Sequence, residues 1–365
     1  MKHFNIKMAE SPDECNVITH DGDFHADDVF AVAMLLMLGP IALYRTRDPS
    51  IISEKSGNPD ITIVDVGGQF DPSRGLYDHH IPEWDRVGES GRLLASAGLI
   101  WDDYADIILT RICDCPDDYV SDVKSRVYRT IIRGVDAQDY GRVPKSIMTV
   151  SGIISMYNPR WDESPKKQNE QFIAAVLEAM KFLKTVIHHS ISTEKGKRLV
   201  EEIVGNIKDD STEILVLPQF IGAWQSTIVN MESEKAKRLK YVVFKDKNAD
   251  QYCVQGVPLI DLVDVNETEQ QQRQVRIPFP EEWRGVSNAR FPKITGVETA
   301  LFCHREGYLA VAITEEDAIK LAELSLEAAR LRVEQGREQE QEQTQENEAP
   351  SNNSTEEVDF ELDAV

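Results

Sequence analysis

Histidines and aspartates are concentrated in two short segments of the N-terminal half of the chain. The first segment, from Thr19 to Asp28, reads THDGDFHADD, and the second, YDHH, begins at Tyr77. Two isolated aspartates, Asp65 and Asp136, stand where a predicted strand and a predicted helix end. Imidazole and carboxylate groups together are typical ligands of first-row divalent metal ions. The sequence therefore predicts a metal centre built from these segments.

Six side chains from this set could hold two ions, and such a pair suits phosphoester hydrolysis. Two divalent ions about 3.5 to 4 Å apart lower the pKa of water and neutralise the charge that builds on phosphoryl oxygens. Several imidazoles among carboxylates favour manganese, with magnesium and zinc as alternatives. The candidate ligands are His20, His25, Asp27, Asp65, His79 and Asp136.

Each candidate ligand also has a purely structural interpretation. A histidine before a helix can cap that helix or lie at the surface, Asp65 could cap a turn, and Asp136 could end the preceding helix. The pair His188-His189 lies in a helical pattern without nearby carboxylates, so we expect it to be structural. For single residues these alternatives stay open.

The pattern of apolar runs predicts an α/β fold with a mainly parallel sheet. Short β-branched runs end just before candidate ligands, and helical patterns lie between them. Because α/β sheets bind ligands at the carboxyl ends of their strands, the candidate residues have the expected location. The predicted strands are 17–19, 41–46 and 61–64, and the predicted helices are 26–38, 95–109 and 121–134.

Composition divides the chain into four segments. We predict a metal-binding α/β domain over 15–168, a helical connector over 169–209, a smaller α+β domain over 210–333 and a tail over 334–365. The tail carries eleven acidic residues against one arginine and has almost nothing apolar, so we expect it to be disordered. It accounts for −10 of the net charge of −23 and could bind protein partners.

Charge, hydropathy and cysteine content exclude several classes of protein. The body of the chain is acidic, so a polyanionic substrate would need local attraction from metal ions and a basic patch. The longest charge-free apolar run, Val29–Leu38, is too short to span a membrane. Five cysteines, with Cys113 and Cys115 lacking a second pair, favour buried reduced thiols over zinc ligands. No signal peptide is expected, which indicates an intracellular protein of the nucleus or cytoplasm.

Several longer strings of the chain resemble one protein family. The strings THDGDFHADDVFAVAMLL (19–36), IVDVGGQFDPSRGLYDHH (63–80), SAGLIW (96–101) and VDAQDYG (135–141) resemble the melanocyte-proliferating-gene family of the DHH phosphoesterase superfamily. Four later strings agree with the same family in the same order. They are EKAKRLKYVVFKD (234–246), YCVQGVP (252–258), PEEWRG (280–285) and ITGVETALFCHREGY (294–308).

The resemblance covers nearly all of residues 15–330 and implies a function. It implies a DHH-type catalytic domain with a two-metal centre, a second domain that closes over substrate, and 3′-to-5′ exonuclease activity on RNA. Relatives of this kind are associated with the nucleus and the mitochondrion, although the chain shows no clear transit peptide. The implied ligands are His20, His25 and Asp27 for the first ion, Asp65 shared, and His79 and Asp136 for the second.

The resemblance also assigns residues that act without binding metal. His80 would face the scissile phosphate and donate a hydrogen bond to it. Asp78 would orient its neighbours, and Asp139 could have a similar supporting role or a role in a turn. We therefore expect His80 and Asp78 to act beside the metal ligands.

Two further readings of the function stay open. The family pattern has a Gly-Gly pair and a lysine where this chain has the segment from Gly307 to Ile313. Their absence from this chain would suit a non-catalytic metal-binding regulatory protein, because such glycines and a lysine would hold a phosphate. Hydrolysis of a small phosphoester or pyrophosphate is the other alternative. Both keep the metal centre and change only its use.

Basic residues for an RNA backbone cluster in the C-terminal half. Lys235, Lys237, Arg238 and Lys240 are the candidate substrate contacts, and a solvated helix face is the structural alternative. Trp224 or Trp283 could stack on a base, although both could instead belong to the core.

Overall fold

The computed structural model describes residues 4–142, 149–260 and 274–348, with side chains up to residue 337. The chain forms two compact units, and the boundary between them lies between Lys195 and Gly196. This division falls inside the predicted helical connector. The predicted domain limits themselves stay predictions.

The first unit contains a six-stranded sheet in the order β1-β3-β2-β4-β6-β5. All its strand pairs are parallel except β5 with β6, as expected for a mainly parallel sheet. The strands are β1 (Ile6–Met8), β2 (Val17–Thr19), β3 (Ile41–Arg45), β4 (Thr62–Val64), β5 (Phe70–Asp71) and β6 (Leu76–Tyr77).

Strand register brings the candidate residues to one edge of this sheet. Ile18 pairs with Ile63 in β4, and Val64 pairs with Tyr77 in β6. The residues that follow the three strands therefore lie side by side. Because both faces of the sheet are covered, β2 is buried along its whole length.

Helices cover the sheet of the first unit. They are α1 (Ala26–Leu38), α2 (Pro49–Lys55), α3 (Ser96–Ile107), α4 (Val120–Val127), α5 (Arg133–Asp139), α6 (Val150–Ser155) and α7 (Gln168–Gly205). The helix α1 has the predicted bounds, and all its residues except Leu38 are buried. Its apolar sequence suits that location, and it packs against α3.

One predicted element boundary is wrong. The pattern from 121 to 134 was expected to end just before Asp136, but the chain passes through a π-helical turn at Tyr128–Ile132 and continues as α5 to Asp139. Asp136 therefore lies inside a helix. Glycine lowers helix propensity by only about 1 kcal/mol, so Gly134 does not stop the helix when tertiary packing favours it.

The second unit is built on a five-stranded sheet in the order β10-β11-β9-β8-β7. Only β7 with β8 is a parallel pair. Its strands are β7 (Ile214–Val216), β8 (Tyr241–Lys245), β9 (Tyr252–Gly256), β10 (Ala300–Cys303) and β11 (Leu309–Ala312), and its helices are α8 (Trp224–Asn230), α9 (Glu234–Arg238), α10 (Phe291–Thr295) and α11 (Glu315–Glu348).

The helix α11 corrects part of the predicted tail. Disorder was expected from residue 334 onward, but the helix continues to Glu348. Glutamate, glutamine and arginine have high helix propensity, and extending a helix that is already nucleated is easier than starting one. Low hydrophobicity predicts lack of burial, which the exposed residues 331–337 show, and does not exclude helix. The rest of the tail, 349–365, lies outside the described residues.

Two global expectations can be compared with the structure. All five cysteines are buried and free, as predicted. Within the described ranges, no helix combines the length and the apolar character that crossing a membrane requires.

Candidate metal centre

The first donor groups lie at the ends of three adjacent parallel strands. His20 follows β2, Asp65 follows β4, and the triad that begins with Asp78 follows β6. Because β4 lies between the other two strands, Asp65 lies between the two histidine segments. Its Oδ2 is 3.3 Å from His20 Nε2, and its Oδ1 is 3.5 Å from His79 Nδ1. Asp65 is the central carboxylate of the site.

The backbone of Asp65 is held in a rare conformation. Its φ angle is 57°, in the left-handed region that a non-glycine residue seldom adopts. The amide of Asp65 still donates to Tyr77 O at 3.0 Å, and Ser96 Oγ donates to its carboxylate at 3.1 Å. Strain of this kind persists where surrounding contacts hold it, and here it directs a buried carboxylate between two histidine segments.

The start of α1 supplies the second group of donors. The amide of His25 donates to Asp28 Oδ1 at 3.0 Å, which satisfies a free N–H at the helix start. The other oxygen of Asp28 lies 3.3 Å from His20 Nε2. Burial, together with the charge of Asp65 and against that of His20, raises the pKa of Asp28 to about 7. Asp28 was not predicted as a site residue, although its spacing from His25 is that of a capping box.

Asp27 is a buried carboxylate without a partner among the described residues. It is 0% exposed, and neither of its oxygens accepts a hydrogen bond. Burial raises its pKa well above the usual value, and the charges of Asp65, Asp139 and Asp28 raise it further. A buried charge of this kind is costly unless a cation or a proton neutralises it.

His79 lies between Asp65 and Asp139, with Ser96 beside it. Ser96 Oγ uses its only proton on Asp65, so it accepts from His79 Nδ1, which is 3.2 Å away. The Nε2 atom of His79 lies 2.9 Å from Asp139 Oδ2, where it can donate to the carboxylate if it carries a proton or share an ion with it if it does not. Two electron-rich atoms that face each other need a proton or a metal ion between them.

Asp136, predicted as a ligand, does not lie with these groups. One of its oxygens accepts from the amides of Ala95 and Gly98, at 3.3 and 3.0 Å. These are amides at the start of α3, whose N-cap residue Ala95 has no side-chain acceptor of its own. Asp136 therefore caps α3, and Asp139, one turn later on α5, faces the site. The two aspartates differ in helical phase, which the sequence pattern alone did not resolve.

The exposed side of the site carries the last member of the triad. Asp78 Oδ1 accepts from His80 Nδ1 at 2.8 Å and from the His80 amide at 3.0 Å, and Gly68 N donates to its other oxygen at 2.5 Å. The hydrogen bond that His80 donates to the Asp78 carboxylate raises the pKa of His80. The His80 side chain is 62% exposed, whereas that of Asp78 is 2% exposed. Asp78 thus fixes a ring that faces outward.

A buried arginine holds the loop between the first two histidines. Arg45 Nη2 donates to Gly22 O at 2.8 Å, and its guanidinium lies 5.6 Å from the ring centroid of Phe24 and 4.4 Å from that of Phe172. Cation–π contacts of a desolvated arginine are each worth about 2 kcal/mol. Arg45 therefore holds the loop before His25 in place.

These contacts produce three sets of donor atoms, and within each set the atoms lie within 4.8 Å of one another. Five of the six predicted ligands belong to them, and Asp139 is present where Asp136 was expected. Their mixed imidazole and carboxylate chemistry fits first-row divalent ions. The sets are His20, Asp28 and Asp65; His25, Asp27 and Asp139; and Asp65, Asp78, His79 and His80.

Comparison with known families identifies the kind of protein that carries this site. The family model for MYG1 exonucleases, described as an uncharacterised protein family (UPF0160), matches residues 16–326. This chain belongs to the MYG1 family. The family predicted from the sequence strings is therefore confirmed.

Individual MYG1 proteins are similar to this chain over most of their length. The MYG1 exonuclease of Mus musculus is 29% identical over 333 residues, which cover 84% of each chain. The MYG1 protein of Saccharomyces cerevisiae is 30% identical over 358 residues, which cover 88% of this chain and 97% of the yeast protein. Among solved structures, RecJ of Thermus thermophilus in complex with Mg²⁺ covers 87% of this chain and 50% of its own. Its identity is 13% and its TM-score of 0.25 is too low to support an argument.

Three of the four basic residues predicted to contact RNA in this MYG1 family member bind groups of the protein itself. Lys235 Nζ donates to Ile207 O at 2.6 Å and to the carbonyl at the end of α7, and Arg238 donates to Asp210 O at 2.5 Å. Lys237 pairs with Glu234 at 2.9 Å. Cations commonly bind the free carbonyls at helix ends in this way. Lys240 is half-buried, and its backbone amide donates to Glu213 O.

The two tryptophans proposed as stacking surfaces belong to the core. Trp224 is 1% exposed and Trp283 is 6% exposed. Trp283 packs against Phe279 and Phe291, with ring centroids 6.0 and 5.9 Å away. Neither can present a face to a base.

Asp136 and Asp139 can be separated by substitution. Asp136→Ala removes the cap of α3, so we expect the free energy of unfolding to fall by about 1–2 kcal/mol while bound metal is retained. Asp139→Ala removes a donor and should lose metal. Urea unfolding in EDTA and metal analysis of dialysed protein measure the two effects. Metal loss in Asp136→Ala alone would restore the original ligand assignment.

Asp136→Asn is the matched control, because its amide oxygen can still accept both N–H groups. Burial raises the pKa of Asp136 from 3.8 to about 8 in the folded protein. Folding therefore takes up a proton between these values, and the wild type loses stability as pH rises through them. The asparagine variant should lack this loss, so its relative stability should increase from pH about 4 to 8.

Proposed function

We propose that this chain is a metal-dependent phosphodiesterase that removes nucleotides from the 3′ end of RNA with two divalent ions. The observation that carries the proposal is Asp27, a fully buried carboxylate that has no hydrogen-bond partner in the described part of the chain and is surrounded by further carboxylates. The naming of the mouse relative as an exonuclease supports the reaction class.

The proposed ligands combine the sequence assignment with the observed geometry. Asp139 replaces Asp136, and Asp28 lies 3.3 Å from His20 Nε2, on the side of the ring where an ion would bind. When bound, the ions would lower the pKa of an attacking water and neutralise charge on the phosphoryl oxygens. Manganese is the favoured ion, because magnesium prefers oxygen ligands alone. The proposed ligands are His20, His25, Asp27, Asp65, His79 and Asp139.

The exposed ring of His80 has the geometry for contact with substrate. Its Nδ1 atom is engaged by Asp78, so Nε2 is the nitrogen that can donate to a phosphate oxygen. The bond to Asp78 fixes the ring and favours its protonated form. His80 therefore acts on the substrate, whereas its neighbour His79 belongs to the ligand set.

A short substrate is the second candidate. The net charge of −23 opposes the approach of a long polyanion more strongly than that of a dinucleotide or pyrophosphate. Both substrates use the same ligands and the same role for His80, so only a comparison of substrates separates them.

Metal binding should reverse the effect of neutralising Asp27. In EDTA at neutral pH, Asp27→Asn removes a buried carboxyl that must either carry a charge or take up a proton on folding, so it should stabilise the protein by about 1–3 kcal/mol. With excess Mn²⁺, the wild type should gain roughly 2.7 kcal/mol at 100 times its Kd, and the variant should gain much less. Thermal unfolding with EDTA and with Mn²⁺ measures both. Equal stabilisation of both proteins by Mn²⁺ would exclude Asp27 as a ligand.

Purified protein should shorten single-stranded RNA from its 3′ end. With Mn²⁺, a 5′-labelled strand should give a ladder of products, and Asp65→Ala or His79→Ala should reduce the rate by at least about 100-fold. His80→Ala should reduce turnover similarly while keeping its metal. His188→Ala is the matched control, since His188 and His189 form an exposed adjacent pair on α7.

The same assay tests the alternatives. Turnover of dinucleotide and pyrophosphate without turnover of longer RNA would favour the short-substrate function. Bound metal without turnover of any of these would favour a regulatory protein. Undiminished activity in both ligand variants would mean that the site is not the catalyst.

A further inference from the structure

One tryptophan of the first unit is almost completely exposed. Trp161 is 98% exposed, and Met156, five positions earlier, is 68% exposed. Tryptophan buries a large apolar surface when it belongs to a core, so full exposure is unusual. The other tryptophans are buried or half-buried: Trp84, Trp101, Trp224 and Trp283.

The segment that carries Trp161 is attached at both ends to the loop that presents His25. Asn158 accepts from the amide of Phe24 at 3.0 Å and donates to its carbonyl oxygen at 2.8 Å. At the other end, Gln168 Nε2 donates to Asp23 Oδ1 at 3.1 Å. Phe24 directly precedes His25. The segment 158–168 therefore begins and ends beside the candidate metal centre.

This attachment limits the distance between the exposed ring and the site. Trp161 is three residues from Asn158, so their Cα atoms are separated by at most about 11 Å. A single strand whose terminal phosphate lies at the metal centre would pass over this distance within a few nucleotides. Trp161 is thus within reach of an upstream base, while the phosphate stays at His80.

The segment 158–168 carries three basic residues against two acidic ones, whereas the whole chain has a net charge of −23. Lys166 and Lys167 are exposed near the end of this segment. Arg160 lies beside Trp161 and pairs with Glu163 at 3.1 Å. An aromatic face next to exposed cations is the arrangement with which proteins bind single strands, because every base offers a π face.

We propose that Trp161 stacks on a base a few nucleotides upstream of the 3′ end, and that the segment 158–168 forms the wall of the RNA path beside the metal centre. This inference rests on the proposed function for its substrate class. Trp161 is a binding residue that fixes the length and register of the strand. It takes no part in bond cleavage.

The test uses three substitutions at one exposed position, so that folding is unaffected. Trp161→Phe keeps an aromatic face, Trp161→Leu keeps apolar area without one, and Trp161→Ala removes both. Each is combined with His80→Ala and Mn²⁺ so that the RNA is not cleaved. The Kd of a labelled single-stranded RNA is then measured by fluorescence anisotropy. We expect alanine and leucine to raise Kd by roughly 5-fold or more and phenylalanine to change it little.

A series of abasic RNAs locates the stacked base. One abasic site is moved a single position at a time from the 3′ end. It should weaken binding at one or two positions in the Trp161-containing protein and at none of these in Trp161→Ala. Loss of a contact that has already been removed costs nothing further.

The outcomes for the inference and for the proposed function are distinct. Equal Kd values for all Trp161 variants, or equal values for leucine and phenylalanine, would overturn stacking, because in either case the aromatic face would make no difference to RNA binding. Absence of RNA cleavage by the protein with intact His80 would refute the proposed function. The binding comparison would still decide the role of Trp161.

Discussion

Repulsion among buried carboxylates is the constraint on which the site depends. Asp27, Asp28, Asp65 and Asp139 converge from a helix start, a strand end and a helix end, and all are buried or half-buried. Like charges in a medium of low dielectric raise one another's pKa values and destabilise the fold. The fold keeps them together because each is attached to an element whose position is set by the apolar core. A divalent cation or a proton would offset this repulsion.

The elements around the site are fixed by contacts that do not themselves bind metal. Arg45 donates to the carbonyl of Gly22 in the loop before His25, and Asn158 binds the backbone of Phe24 in the same loop. Ser96 links His79 to Asp65, and Asp136 secures the start of the helix that carries Ser96. A residue such as Ser96, which hydrogen-bonds to a candidate ligand, sets the orientation of that ligand, whereas Asp136 contacts only the backbone of α3 and contributes to stability. The role of Asp136 is therefore real but indirect.

The sequence predicted the part of the site that local patterns determine. The helix α1 and the strand ends before His20 and Asp65 follow from apolar runs with clear breaks, and the residues after parallel strands must meet at one edge. The choice between Asp136 and Asp139 could not be made in this way, because it depends on how α5 packs against α3. The sequence also could not predict that Lys235 binds carbonyl oxygens at the end of α7. A lysine that binds a carbonyl and a lysine that faces water look the same in a sequence. Burial and helical phase are tertiary properties.

An acidic chain could still bind a substrate that carries phosphate if its charge is reversed at the candidate metal centre. Without cations, the carboxylates around Asp65 would repel a phosphate, and the overall field of the chain would add to that repulsion. Two divalent ions would reverse the sign of charge at this point alone, while His80 and the lysines of segment 158–168 add positive charge on the exposed side. Under the proposed function, metal occupancy then controls substrate affinity as well as chemistry. The acidic surface elsewhere would repel the phosphates of RNA. RNA would therefore bind only along this path, where the ions and the basic side chains attract it.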